Sequence, residues 1–128
     1  MKFLLDTSTF LWWNENSPYL SQKAKELIIA GQNEIYVSAA SAWEITLKAS
    51  KGKLVLPEPP DSYVLSRMTY YRFIPLPIHI RHTCRIYQLP GYHTDPFDRL
   101  LIAQCQLEGM SLLSGDENLH KYDLQVIW

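Results

Sequence analysis

Apolar positions along the chain follow two alternating rhythms. Short continuous runs, Phe3-Leu4-Leu5 and the β-branched and aromatic stretch Glu34 to Ser38, read as buried strands, and Ser111 to Ser114 and Gln125 to Ile127 repeat the pattern later. Phe73 to Leu76 is a further short strand, assigned to an edge or an end because Pro75 cannot donate to a ladder. Between these runs the spacing lengthens to a helical period. Thr9 to Trp13 predicts a short helix broken by Asn14 to Pro18, and Ser21 to Gly31 a longer one with Ser as cap and Gly as stop. Ser41-Ala42-Trp43-Glu44 opens a helix to about Ser50, with Ser41 and Glu44 spaced as a capping box. Leu54 to Pro60, with its three prolines, reads as a loop. Asp61 then caps a helix through Tyr71, and Ile78 to Leu89 forms another that Pro90-Gly91 breaks. Strand and helix alternate throughout, which predicts one α/β domain over residues 1–128, a three-layer α/β/α arrangement around a central parallel sheet.

The segment Thr94-Asp95-Pro96-Phe97-Asp98-Arg99 opens the most apolar of the helices. Thr94 or Asp95 serves as N-cap, Pro96 falls at the first helical position, and Asp98 lands at the third. The following LLIAQCQLEG is apolar on more than one face, as expected of a helix covered by other elements, and Gly109 ends it. Helix-start chemistry alone accounts for Asp95 and Asp98 as a pair of acids near the positive end of the dipole.

Open parallel sheets place their sites beyond the carboxyl ends of the strands. Four acids are predicted to gather there: Asp6 after the first strand, Glu44 on the helix after the second, Asp98 on the helix before the Ser111 strand, and Asp116 after that strand. Each has an ordinary role as a turn, cap or first-turn residue. Together they repel unless a hard divalent ion compensates them, and oxygen-only ligation favours Mg²⁺ or Mn²⁺ over zinc. Carboxylates holding such ions are equipment for phosphodiester hydrolysis without a protein nucleophile. The chain offers no Gly-x-Ser-x-Gly elbow, no Cys beside a His and no Walker-type loop.

Charge changes this picture little. Twelve basic and 13 acidic residues leave a net charge of −1, so any nucleic-acid surface must be a local one. Lys48, Lys51 and Lys53, with Arg67, Arg72, Arg81, Arg85 and Arg99, suffice to line an RNA channel, Lys48 and Arg99 being the candidates for RNA contact. Trp12, Trp13 and Trp43 flank the proposed acids and are placed to stack bases or to receive a partner's side chain, although core packing explains at least two of them. His79 and His82 read as surface residues, and His93 has only its position before the Asp95 segment in its favour. Cys84 and Cys105, singly spaced, are expected to be reduced and buried. The short apolar runs match neither a signal segment nor a spanning helix, giving the expectation of a cytoplasmic protein without membrane attachment.

Leu4-Leu5-Asp6-Thr7, Ser41-Ala42-Trp43-Glu44-Ile45, His93-Thr94-Asp95-Pro96-Phe97-Asp98-Arg99-Leu100-Leu101-Ile102-Ala103 and Ser114-Gly115-Asp116 together resemble PIN-domain ribonucleases, in particular the VapC-like toxins of bacterial toxin–antitoxin pairs. The resemblance covers nearly the whole chain. It implies a metal-dependent endoribonuclease whose Asp6, Glu44, Asp98 and Asp116 bind Mg²⁺ or Mn²⁺ and cut RNA. It also implies a homodimer and a small cognate antitoxin that blocks the site. Ser114 stands where the family often has Thr and keeps the hydroxyl that supports the acids, while Gly115 is expected to loosen the placement of Asp116. Asp95 fits an N-cap better than a metal ligand. A response-regulator receiver needs an acidic pair after the first strand, and a haloacid-dehalogenase-type phosphatase needs Asp-x-Asp there. Asp6-Thr7-Ser8 meets neither requirement. The remaining alternative is a catalytically silent PIN-fold adaptor that binds RNA or protein, and cleavage by the purified protein separates it from the enzyme.

Overall fold

β1 (Lys2–Leu5) lies at the middle of a five-stranded sheet, with β2 (Glu34–Ser38) on one side and β4 (Ser111–Leu113) on the other. β3 (Ile74–Leu76) pairs with β2, β5 (Val126–Ile127) pairs with β4, and every pairing is parallel. The computed structural model describes residues 1–128. The helices are α1 (Thr7–Glu15), α2 (Gln22–Ile29), α3 (Ala39–Ser50), α4 (Pro60–Tyr71), α5 (Ile80–Arg85) and α6 (Pro96–Glu108), with single 3₁₀ turns at Ile86–Gln88 and Leu119–Lys121. None is long and apolar enough to cross a membrane.

Burial follows the two-residue strand period. Leu4 and Leu112 face one apolar cluster with Leu101, Ile102 and Cys105 of α6, whereas Phe3, Leu5 and Leu113 face a second with Phe10 of α1, Ile45 of α3 and Tyr63 of α4. The sheet is thus covered on both sides, as the unbroken apolar runs of β1 and β4 require. α6 is buried without interruption from Leu100 to Cys105, including Gln104. That amide is satisfied: Ser38 Oγ donates to its Oε1 at 2.6 Å and its Nε2 donates to the Pro77 carbonyl at 3.2 Å, tying α6 to the ends of β2 and β3.

Pro75 sits on edge strand β3, where its missing N–H costs nothing to the ladder. Several element starts differ from expectation. α1 begins at Thr7, two residues early, because Asp6 caps it and accepts the Thr9 N–H at 2.8 Å. α3 begins at Ala39 with Ser38 as cap, the Ala40 N–H donating to its Oγ at 3.0 Å. The capping box Ser41-x-x-Glu44 therefore does not exist: Ser41 lies inside the first turn, buried, and accepts a hydrogen bond from Thr7 Oγ1 at 3.0 Å. Asp61 is a first-turn acid of α4 and not its cap. Cys105 is buried but Cys84 is exposed, and burial pushes the Cys105 thiol well up.

His82 is likewise no surface residue. It is fully buried, accepts the His79 N–H on Nδ1 at 3.0 Å, and turns Nε2 toward Glu108 at 3.1 Å, which fastens α5 to the end of α6. That partnership, with help from Arg81, holds the Glu108 carboxyl below its ordinary range.

Candidate active site

The chain leaves β1 outward through β2 to β3 and returns to place β4 against β1's other edge, so the order reverses between β1 and β4. Such a reversal opens a crevice at the carboxyl ends of the strands. Asp6 follows β1 directly and Asp116 follows β4. Asp6 is held from two sides, by the Thr9 N–H and by Ser114, and is only 6% exposed. Burial pushes its carboxyl up, and the hydrogen bonds from Ser114 and Thr9 oppose that shift. Ser114, fully buried, also accepts the Asp116 N–H at 3.1 Å, so its hydroxyl joins the two acids. Asp116 Oδ1 accepts the Asn118 N–H at 2.9 Å.

Asp98 enters from the first turn of α6. Its N–H donates to Asp95 Oδ1 at 2.9 Å, making Asp95 the N-cap. Burial raises the Asp98 carboxyl to about 7, the Asp95 charge adds to this, the His93 hydrogen bond opposes it, and Asp6 and Glu44 contribute further repulsion. Glu44 enters from α3, one oxygen accepting from Lys48 Nζ at 2.7 Å, while the other is buried with no partner. The same contact holds the Lys48 ammonium charged, above its ordinary range.

All four predicted acids line one cleft of about 350 Å³, together with Asp95, Lys48, Trp12 and Gly115. His93 completes it, a residue whose sequence position alone gives little sign of a role there. Its Nε2 lies 2.8 Å from Asp98 Oδ2 and 3.2 Å from Asp116 Oδ2. Only the adjacency of His93 to the Asp95 cap hinted at this. His93, Asp98 and Asp116 each offer one ligating atom within 4.8 Å of the others.

Arg99 is not in the cleft. Its guanidinium donates to the carbonyls of Pro90 (2.8 Å), His93 (3.2 Å), Ile86 (3.3 Å) and Leu89 (3.3 Å) and to the Tyr122 hydroxyl (3.2 Å). With both terminal nitrogens engaged by the Ile86–His93 segment and Tyr122, the guanidinium braces that segment. The tryptophans also part company. Trp13 stands edge-on to Tyr71, and Trp43, though exposed, meets Phe97, whereas Trp12 lines the cleft beside Trp128 at 5.8 Å. At Gly115 a Cβ would come within 2.8 Å of the Trp128 indole, so the residue is small because an aromatic ring lies on it.

The donor set suits a hard divalent cation. Several carboxylates converge, and one buried Glu44 oxygen lacks any protein partner, which is costly without a cation to receive it. A pH dependence follows. Asp98, raised to about 7, binds more protons in the folded state between about pH 4 and 7, so stability falls as pH rises through that range, and the upward shift of Asp6 acts in the same direction. Urea midpoints of the metal-free protein should therefore carry a loss from these two carboxyls between pH 5 and pH 8, and Mn²⁺ should raise the midpoint far more at pH 8 than at pH 5. Equal Mn²⁺ effects at both pH values would contradict this account.

The model of the PIN domain matches residues 3–124, nearly the whole chain. The chain belongs to the PIN-domain family. Ribonuclease VapC16 of Mycobacterium tuberculosis (strain ATCC 25618 / H37Rv) is 48% identical over 52 residues, a stretch spanning 41% of this chain and only 37% of that relative. The PIN fold is also seen in solved structures. VapBC2 from Rickettsia felis, bound to a DNA fragment from its promoter, superposes with a TM-score of 0.73 over 100% of this chain and 99% of that one, at 14% identity. DNA-bound VapBC from Salmonella typhimurium gives 0.70 over 99% and 97%, also at 14% identity. A toxin–antitoxin complex from Klebsiella pneumoniae gives 0.66 over 98% and 95%, at 18% identity. At these identities the likeness is one of fold.

Proposed function

We propose that this PIN domain is a metal-dependent endoribonuclease that hydrolyses RNA phosphodiester bonds, and that it is the toxin of a toxin–antitoxin pair. The observation that carries the reading is the convergence of Asp6, Glu44, Asp98 and Asp116 in one cleft at the sheet's switch point, with a Glu44 oxygen left unpartnered. These four residues would hold Mg²⁺ or Mn²⁺. When bound, the ion supplies an activated water and charge stabilisation on the phosphate. The chain's own groups do the rest. Asp95 fixes Asp98 by capping α6, Ser114 joins Asp6 to Asp116, and Lys48, half exposed beside Glu44, presents a positive charge to a phosphate at the lip of the cleft. The ribonuclease name of the Mycobacterium relative supports the substrate, and the VapBC complexes among the fold neighbours support a small antitoxin as partner.

Purified protein should cleave RNA with Mg²⁺ or Mn²⁺ and stop in EDTA. Undiminished cleavage in excess EDTA would rule the mechanism out, and a protein that binds Mn²⁺ and RNA yet never cuts would be the silent adaptor instead. The homodimer, the cytoplasmic location and the antitoxin belong to the same proposal. Light scattering should give twice the chain mass, and the product of the adjacent reading frame should bind and inhibit. A strict monomer that ignores that product would remove the toxin role and leave the nuclease standing.

A further inference from the structure

His93 is anchored at three points before its ring reaches the acids. Its N–H donates to the Tyr122 hydroxyl at 2.9 Å, its carbonyl accepts from Arg99 at 3.2 Å, and its ring Nδ1 accepts the Thr94 N–H at 3.2 Å. The last of these settles the tautomer. A backbone N–H can only donate, so Nδ1 is the acceptor and the ring proton resides on Nε2. That proton points to Asp98 Oδ2 at 2.8 Å, and Asp116 Oδ2 lies 3.2 Å from the same nitrogen.

One N–H thus stands between two carboxylates that arrive from different elements. Asp98 comes from the start of α6 and Asp116 from the loop after β4, and the His93 ring bridges them.

The spacing of His93, Asp98 and Asp116 would also suit a mixed nitrogen and oxygen metal site. The tautomer argues against it. For Nε2 to ligate, its proton would have to move to Nδ1, where it would face the Thr94 N–H donor-to-donor and lose that hydrogen bond. We infer that His93 is a positioning residue: its Nε2–H sets the separation of Asp98 and Asp116, and a divalent ion is taken by the carboxylate oxygens, not by the imidazole. This rests on the metal-dependent reading of the cleft. Groups that orient metal ligands in this way typically change metal affinity by about 10–100-fold when removed.

The test uses the full chain and reads the ring and the ion instead of cleavage. Imidazole ¹⁵N spectra should show His93 protonated on Nε2 both without metal and with saturating Mg²⁺. Pulsed EPR of bound Mn²⁺ should show no directly coupled imidazole nitrogen that His93→Ala removes. Calorimetry should give His93→Ala an Mn²⁺ affinity about 10–100-fold weaker than wild type, and His93→Gln, which keeps an N–H donor, should recover part of the loss. Movement of the ring proton to Nδ1 on adding Mg²⁺, or a direct nitrogen coupling lost in His93→Ala, would overturn the inference by making His93 a ligand. Unchanged affinity in His93→Ala would overturn it while leaving the metal site intact. Failure of the wild type to bind either ion would overturn the metal-dependent reading itself. The ring spectra need no variant, so a His93→Ala protein that folds poorly does not protect the idea.

Discussion

Asp98→Asn should reduce RNA cleavage on the order of 100-fold or more while leaving the metal-free protein at least as stable as wild type. The two halves of this expectation come from one cause. Asp98 sits in the first turn of α6 with its carboxyl raised to about 7 by burial, then by Asp95, Asp6 and Glu44, so ionising it in the absence of a cation is unfavourable. An amide removes that penalty. It also keeps the shape, and its oxygen can still accept from His93 Nε2 as Asp98 Oδ2 does at 2.8 Å. The helix start is not disturbed, because the cap is made by the Asp98 backbone N–H donating to Asp95. What the variant loses is one negative charge and a hard oxygen ligand, and groups that stabilise a transition state are usually felt at this scale. Asp6→Asn should behave similarly toward cleavage. Chemical denaturation in EDTA and cleavage in Mn²⁺, measured on one preparation, check both halves. Near wild-type cleavage by Asp98→Asn would remove Asp98 from the metal site, and a loss of several kcal/mol in EDTA would show that the carboxylate is structural.

Arg99→Ala should be the most destabilising single change among the charged residues, by about 2–4 kcal/mol, since a charged donor is removed from several carbonyls at once. The guanidinium gathers Ile86, Leu89, Pro90 and His93 through their carbonyl oxygens, and Tyr122 supports the same segment by donating to the Pro90 carbonyl at 2.8 Å. This stretch carries little regular structure of its own, only the 3₁₀ turn Ile86–Gln88. Removing the brace frees His93 as well, so Mn²⁺ affinity should fall together with stability. Arg99→Lys should recover little, because an ammonium offers three donors without the planar fork that reaches carbonyls on both sides. Urea denaturation decides the matter. A change below about 0.5 kcal/mol, the size usual for an exposed side chain, would mean that Arg99 is free to meet substrate after all.

Much of the architecture was legible from local pattern. The apolar runs of β1, β2 and β4 and the Pro at the start of α6 act over a few residues, and their consequences appear where periodicity and cap chemistry place them. Asp6, Asp98 and Asp116 were legible for the same reason, each standing at or near the end of an element, whereas Glu44 lies in the middle of α3 and not in the first turn where a start at Ser41 would put it. What escaped was decided between elements. Ser38 and Ser41 are both good caps one helical turn apart, and only the contact of Ser41 with Thr7 across the sheet end selects Ser38 for the role. His82 looks like any polar helix residue until Glu108 and the His79 N–H close around it. Arg99 and His93 take their roles from Tyr122, far along the chain, and no local window contains that partner. Gly115 is explained only by the arrival of Trp128.

The strand order has a consequence for the chain during its own synthesis. β1 precedes the other strands, yet its full partnership requires β4, more than a hundred residues later, while β2 pairs with its opposite edge and β3 adds onto β2. A ribosome-bound chain that has emerged as far as β3 carries Asp6 and Glu44 without Asp98 or Asp116, and with one long side of its central strand unpaired. The cleft closes only when α6 and β4 dock, a pairing between distant parts of the chain that forms late and slowly. Until that docking the four acids lie on separate parts of the chain, so the cleft and whatever chemistry it supports are assembled by one long-range pairing and not by any local segment.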